Sequence, residues 1–137
     1  MEVATVILLI EPSPYLRSVL NRWLENILPD SYLFMAENGA EALQLMRQAI
    51  PMYVLIEIYL PDRNGLEILP QLRQGLPAAR IIATSWYESR WLIDRAMAAG
   101  ADGFVNKDRL SRELLLLWKI PVKHRMDDGK TSATADR

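Results

Sequence analysis

The fold of this chain is decided by the stretch Met52-Tyr-Val-Leu-Ile-Glu-Ile-Tyr-Leu-Pro-Asp-Arg-Asn-Gly65. It begins as an apolar run with the length and branched side chains of a buried strand, and the run ends in a single acid, Glu57. A turn follows, marked by Pro61 and Gly65, and a helical pattern then begins. In an α/β protein, a carboxylate at the end of a buried strand lies where ligands usually bind. Glu57 is therefore the first candidate functional residue.

Strand and helix alternate along most of the chain. Apolar runs predict strands over residues 3–10, 32–36, 53–58, 80–84 and 103–106, and apolar residues at helical spacing predict a helix after each, the fourth over residues 87–99. Five such units in series favour a doubly wound parallel sheet with helices on both faces, because right-handed crossovers require it. We assign residues 1–120 to this one domain and expect the polar residues 121–137 to form a disordered C-terminal tail.

The composition limits the classes of function. The chain has 137 residues, a net charge of -1, no cysteine and one histidine. Disulfides and thiolate metal sites are therefore excluded, and a near-neutral charge gives no footprint for nucleic acid. The apolar start is short and acidic and stops at Glu11, so we expect neither a signal peptide nor a membrane span, and a cytoplasmic location.

Polar side chains follow four of the predicted strands. Glu11 comes after the first, Glu57 ends the third, Thr84 ends the fourth, and Lys107 comes after the fifth. Because the carboxyl ends of parallel strands meet at one edge, carboxylates, a hydroxyl and an ammonium are expected to converge there. An enzyme that binds a nucleotide or flavin on this architecture ranks low, since the segment Glu11-Pro-Ser-Pro14 contains no glycine to build a phosphate loop.

Three segments in the right order resemble receiver domains of bacterial response regulators, the CheY-like fold, of the NarL/LuxR type. The segment Ala98-Ala-Gly-Ala-Asp-Gly-Phe-Val-Asn-Lys-Asp108 is similar to the family's AGAxGYxxKD, Leu60–Leu69 to its MPxxxGLExL turn, and Ala36–Leu43 to its AxxGxxAL helix start. The resemblance covers roughly residues 4 to 120. It implies a flavodoxin-like five-stranded sheet of order 2-1-3-4-5 with five helices, and signalling through protein partners rather than catalysis.

The resemblance also implies a role for each residue at the carboxyl edge. In the family, an aspartate ending the third strand accepts a phosphoryl group, and two acids after the first strand hold Mg²⁺ with it. Thr84 and Lys107 match the positions that bind the phosphoryl oxygens, and Phe104 matches the aromatic switch position. The acceptor position holds Glu57 instead of aspartate, and the acid pair is replaced by Glu11-Pro12.

These departures predict a degenerate phosphorylation site. A glutamate places its carboxylate about 1.5 Å further out than an aspartate, and a misplacement of about 1 Å can cost about a hundredfold in rate. Pro12 supplies no oxygen for the octahedral shell that Mg²⁺ requires, so we expect no cofactor and at most a weak Mg²⁺ site at Glu11 and Glu57. We expect Lys107 to pair with Glu57 directly, and the receiver to be fixed in one signalling state. The alternative is a working Mg²⁺-dependent phosphoacceptor in a phosphorelay.

Four aromatic residues are candidates for access control and for partner binding. Tyr59 and Trp86 each lie two residues beyond a site residue, where their bulk is expected to limit access to the pocket. Trp91 is an interface candidate because an outward tryptophan favours a partner surface. Trp118 is the other, because the four leucines before it make the fifth helix apolar nearly all round, which suggests burial against a partner. The resemblance implies that this surface is formed by the fourth helix, fifth strand and fifth helix. A homodimer and a sensor histidine kinase are the partners considered; nucleic acid and membrane are not expected.

Overall fold

Five strands and five α-helices alternate along residues 4–120, the part of the chain that the computed structural model describes. Their bounds are β1 Thr5–Ile10, α1 Pro14–Ile27, β2 Ser31–Ala36, α2 Gly39–Ala49, β3 Tyr53–Glu57, α3 Gly65–Gly75, β4 Arg80–Ser85, α4 Arg90–Ala99, β5 Gly103–Asn106 and α5 Leu110–Trp118. A 3-10 turn, Lys107–Arg109, joins β5 to α5. The predicted disordered tail lies outside the described residues. No helix within residues 4–120 is long and apolar enough to cross a membrane.

The strands form one parallel sheet in the order β2-β1-β3-β4-β5. This confirms the predicted flavodoxin-like, CheY-like doubly wound fold. The chain runs from β1 out to the edge strand β2 and then returns to β3 on the other side of β1. That reversal creates a crevice at the carboxyl ends of β1 and β3, the usual ligand position in such sheets. The register sets Glu57 beside Thr84 at this edge.

Separate apolar cores lie on the two faces of the sheet. One core packs strand side chains against α2, α3 and α4, and the other packs them against α1 and α5. In β1, Leu8 and Ile10 belong to the first core and Ile7 and Leu9 to the second, and all four are fully buried. A central parallel strand is covered on both faces, which explains its unbroken apolar sequence.

Trp118 belongs to the core, so the prediction that it faces a partner is wrong. Its side chain is fully buried, and its Nε1–H donates a hydrogen bond of 3.0 Å to the carbonyl oxygen of Val54. The reason is helical spacing, which turns Leu114 and Trp118 towards the sheet together. Leu116 points the other way and is 75% exposed.

The helix α4 begins later than the sequence predicted. Ser89 caps it, with its Oγ accepting a hydrogen bond of 3.1 Å from the Leu92 N–H, so the helix starts at Arg90. Residues 86–88 therefore stay in the loop that leaves the carboxyl end of β4. Tyr87, which was predicted to begin the helix, therefore lies with Trp86 at the rim of the crevice.

Candidate functional site at the carboxyl edge of the sheet

Three charged side chains meet in the crevice. The Lys107 Nζ contacts Glu57 Oε1 and lies 2.7 Å from Glu11 Oε1. The three side chains are only 4%, 6% and 2% exposed, respectively. The structure thus brings Glu11, Glu57 and Lys107 together as one buried cluster, with the ammonium between the two carboxylates. We refer to these three residues as the edge cluster.

The backbone fixes both carboxylates of the edge cluster. Glu11 directly follows β1, and its Oε2 accepts a hydrogen bond of 2.9 Å from the Ser13 N–H. Glu57 is the last residue of β3, and its Oε2 accepts one of 2.8 Å from the Tyr59 N–H. Each glutamate therefore gives one oxygen to a local N–H and the other to Lys107. Apart from that ion pair, Glu11 Oε1 has no hydrogen-bond partner within residues 4–120.

Burial makes the charge balance of the edge cluster important. Two carboxylates and one ammonium leave a net charge of about -1 away from water when all three are ionised. Charges removed from water are costly unless they are paired and hydrogen-bonded. The two backbone N–H groups and the shared ammonium provide that compensation. In the described part of the chain, Lys107 is the one cationic side chain that forms an ion pair with the two carboxylates.

The side chains of Thr84 and Phe104 make their contacts with a neighbouring strand and with the apolar core. Thr84 is buried, and its Oγ1–H donates a hydrogen bond of 2.7 Å to the carbonyl oxygen of Val105 on β5. The hydroxyl hydrogen is therefore directed to the neighbouring strand and not to the edge cluster. Phe104 is half-buried and packs against the core formed with α2, α3 and α4.

Aromatic side chains surround the mouth of the crevice. The rings of Tyr59 and Tyr87 meet edge to face with their centroids 5.9 Å apart, and both side chains are largely exposed. The Trp86 ring lies 5.9 Å from Lys107 Nζ, within the range of a cation–π interaction. The sequence argument named Tyr59 and Trp86 but missed Tyr87. The adjacency of β3 and β4 was the available signal, because it makes the two following loops neighbours.

The loop that carries Trp86 is tied to the turn that carries Lys107. The Asn106 side-chain amide donates a hydrogen bond of 3.2 Å to the Trp86 carbonyl, and Arg109 Nη2 lies 2.7 Å from Glu88 Oε1. The Arg109 guanidinium lowers the pKa of Glu88 from its ordinary value, chiefly by this hydrogen bond. The same contact raises the pKa of Arg109. The rim of the crevice is thus held by side chains from both loops.

Gly65 closes the loop that follows Glu57. Its N–H donates a hydrogen bond of 2.5 Å to the Ile58 carbonyl oxygen. A Cβ at Gly65 would lie 2.8 Å from the Glu57 carbonyl oxygen and 2.9 Å from the Ile58 Cα, closer than side-chain atoms approach backbone. Only glycine therefore allows the loop to return this tightly to the strand end.

The edge cluster does not fit the donor set that Mg²⁺ prefers. No group of three or more Asp, Glu, His or Cys side chains within residues 4–120 is arranged to hold a metal ion. Two carboxylates are present, but the Lys107 ammonium lies between them, and Pro12 offers no side-chain oxygen. Mg²⁺ needs an octahedral oxygen shell, and a neighbouring ammonium would repel it.

The order of the strands in the sheet is that of a CheY-like receiver. The family model for the response regulator receiver domain matches residues 7–118, and the chain belongs to this family, whose members are generally non-enzymatic signalling proteins of two-component systems.

Similar curated proteins include the transcriptional activator protein ExaE of Pseudomonas putida, 36% identical over 74% of this chain and 47% of its own length. The nitrate/nitrite response regulator protein NarL of Escherichia coli is 33% identical over 83% of this chain and 52% of its own length. The chain thus spans about half the length of these two relatives.

A solved structure supports the fold independently. A response regulator protein from Burkholderia pseudomallei, with a phosphorylated aspartic acid, a calcium ion and citrate, aligns with a TM-score of 0.79 at 21% identity. The alignment covers 97% of this chain and 77% of the other. At this identity the likeness concerns the fold alone.

Proposed function

We propose that this receiver domain is a pseudo-receiver, which signals through protein partners without ordinary phosphorylation at the acceptor position. The observation that supports this most directly is the edge cluster, in which Lys107 contacts Glu57 and Glu11 together while all three side chains are buried. The Lys107 ammonium lies between the two carboxylates, where it partly neutralises their charge and stands in the way of a divalent cation.

The state of Glu57 argues against its acting as a phosphoryl acceptor. Each of its carboxylate oxygens already has a partner, Lys107 Nζ on one side and the Tyr59 N–H on the other. Phosphoryl transfer requires an attacking oxygen in line with the leaving group, and it depends on positioning and charge neutralisation. Glu57 would have to give up its partners before it could meet a phosphodonor. Tyr59, Tyr87 and Trp86 at the rim would hinder that donor further.

Glu57 also supplies part of the signal that phosphorylation would bring. Its carboxylate carries negative charge further from the strand than an aspartate would. The imitation is incomplete, because a phosphoryl group adds close to two charges and three acceptor oxygens. The proposal is therefore a receiver held in one signalling state by its own side chains.

The partner surface in this proposal is the face of α4, β5 and α5. Trp91 on α4 is 60% exposed, and the Arg95 guanidinium lies 5.2 Å from its ring centroid, which limits the freedom of both side chains. Leu116 adds an exposed apolar side chain on α5. Exposed tryptophan and arginine are typical of residues that dominate binding energy at protein interfaces. A second copy of the chain, a sensor histidine kinase or an output protein are the partners that we propose.

Treatment with acetyl phosphate and Mg²⁺, followed by intact mass measurement, tests the proposal. The wild-type chain should gain no phosphoryl group. The double variant Pro12→Asp/Glu57→Asp, which restores both family acids, should gain one, and Pro12→Asp alone serves as the matched control. A stoichiometric, base-labile phosphoryl group on Glu57 of the wild type would contradict the proposal and favour a working phosphoacceptor.

A further inference from the structure

The loop of residues 58–64, which follows Glu57, is attached to a second element outside the crevice. Asp62 Oδ1 accepts a hydrogen bond of 2.8 Å from the Gly39 N–H, and its Oδ2 accepts one of 3.0 Å from the Ala40 N–H. Both donors belong to the first turn of α2. The Gly39 N–H is the main cause of a pKa of Asp62 below its ordinary value.

This contact is additional to the cap that α2 provides for itself. Asn38 Oδ1 accepts a hydrogen bond of 2.9 Å from the Glu41 N–H, as an N-cap residue normally does. The first N–H groups of a helix lack partners within the helix. Within residues 4–120, α2 is the only helix whose first turn also receives a side-chain acceptor from a distant segment. The contact therefore joins the loop of residues 58–64 to α2, in addition to the cap that α2 already has.

Packing reinforces the attachment. A Cβ at Gly39 would overlap Ile68 Cδ1 and would lie 3.0 Å from Arg63 Cγ. The start of α2 is thus pressed against the side chains of the loop and of α3, with no space for a methyl group. Arg63 Nε lies 3.9 Å from Asp62 Oδ2, which adds a weak ionic contact at the surface.

The same loop carries a donor to the edge cluster. The Tyr59 N–H donates to Glu57 Oε2, Tyr59 pairs with Asn64 across the loop, and Gly65 returns to Ile58. The loop is consequently closed at the strand end by backbone contacts and held at its tip by Asp62. Movement at the tip would be transmitted to Tyr59, because few residues separate them and the loop is hydrogen-bonded across its width.

We propose that Asp62 is a positioning residue, which holds the loop of residues 58–64 against α2 and so keeps the Tyr59 N–H on Glu57 and the Tyr59 ring over the crevice. This inference rests on the proposed function, since it states what keeps the edge cluster in its single arrangement. A purely local role, in which Asp62 only caps α2, would leave Tyr59 unaffected when Asp62 is replaced. The two roles therefore differ in what happens at Tyr59.

Amide hydrogen exchange measured by NMR on the full chain distinguishes them. The variants are Asp62→Ala, which removes both acceptors, and Asp62→Asn, which keeps one. Glu67→Gln is the matched control, because Glu67 is an exposed acid in the first turn of the adjacent helix. In Asp62→Ala we expect exchange at the Tyr59 amide to accelerate by about fivefold to tenfold, the change in a local opening equilibrium that matches the usual stability loss on removing a side-chain cap. Asp62→Asn should give a smaller increase and Glu67→Gln none.

Faster exchange at Gly39 and Ala40 with an unchanged Tyr59 amide would overturn the inference. Equal acceleration in Glu67→Gln would overturn it too, since the effect would then follow from charge alone. The measurement needs no phosphodonor. A wild-type chain that is labelled by acetyl phosphate would therefore refute the proposed function, whereas an unchanged Tyr59 amide would refute only the role of Asp62.

Discussion

The two edges of the sheet carry charge clusters of opposite composition. At the carboxyl edge, two glutamates share one lysine and all three are buried. At the amino edge, Asp102 lies 2.7 Å from Arg73 Nη2 and 3.9 Å from Arg80 Nη1, and the three side chains are about a third exposed. The first cluster has an excess of acid and the second an excess of base.

The amino-edge cluster is also far richer in hydrogen bonds. The Arg73 guanidinium donates to the carbonyl oxygens of Gly100, Leu76, Pro77 and Ala79 as well as to Asp102. Asp102 accepts a further bond of 2.8 Å from the Ile81 N–H. Such a network holds the loops at the bottom of the sheet together. The edge cluster makes fewer such bonds, since its carboxylates accept only from the Ser13 and Tyr59 N–H groups. Its contacts join groups that are costly to bury, which is typical of functional sites.

The largest expected effect comes from removing the only cation of the edge cluster. Lys107→Met leaves two buried carboxylates without their shared partner, and we expect it to lower the free energy of unfolding by about 3–5 kcal/mol. Urea unfolding at neutral pH measures this. Arg112→Met, on the exposed side of α5, is the control and should change stability by less than about 0.5 kcal/mol. If Lys107→Met lowers the free energy of unfolding as little as the control does, the ion pairs of the edge cluster do not stabilise the fold.

A smaller loss is expected at the amino edge. Arg73→Ala removes several hydrogen bonds, but water can reach the partly exposed groups that remain, so we expect a loss of about 1–3 kcal/mol. The same urea experiment applies, with Arg22→Ala on α1 as the control for an exposed helical arginine. If Arg73→Ala lowers the free energy of unfolding more than Lys107→Met does, the buried edge cluster is not the more sensitive of the two clusters, and the contrast drawn between the two edges of the sheet is wrong.

The smallest effect concerns pH at the rim of the crevice. Arg109 lowers the pKa of Glu88, so their contact stabilises the fold at neutral pH, and this contribution is lost as the pH falls through the depressed pKa of the folded state. In Arg109→Ala, the pKa of Glu88 should rise towards that of an ordinary glutamate, which NMR titration of the Glu88 carboxyl group measures. Arg112→Ala is the control and should leave the Glu88 pKa depressed. If the pKa of Glu88 stays depressed in Arg109→Ala, a group other than Arg109 lowers it.

Most of the fold could be predicted because its signals are local. Apolar runs identified the five strands, and β5 begins and ends at the predicted residues 103 and 106. The start of α4 was placed too early, since helical spacing continues into the loop and only the Ser89 cap marks the true boundary. The prediction for Trp118 was wrong because the four leucines before it obscure which side of α5 faces the sheet.

The candidate site was predictable in part. Strand ends indicated that Glu11, Glu57, Thr84 and Lys107 would lie at one edge, which follows from the topology. The hydrogen bond from Thr84 to Val105 depends on a side-chain rotamer, and no sequence pattern encodes that choice. The contact of Asp62 with α2 was not predicted, because its partners are 22 and 23 positions away along the chain.

Lys107 is covalently part of the chain, so the positive charge between Glu11 and Glu57 has no dissociation constant of its own. Diluting the protein does not weaken these contacts. A site that recruits its cation from solution follows the concentration of that cation in the cell. In this chain, the contribution of Lys107 to the charge balance at the carboxyl edge is fixed when the polypeptide folds.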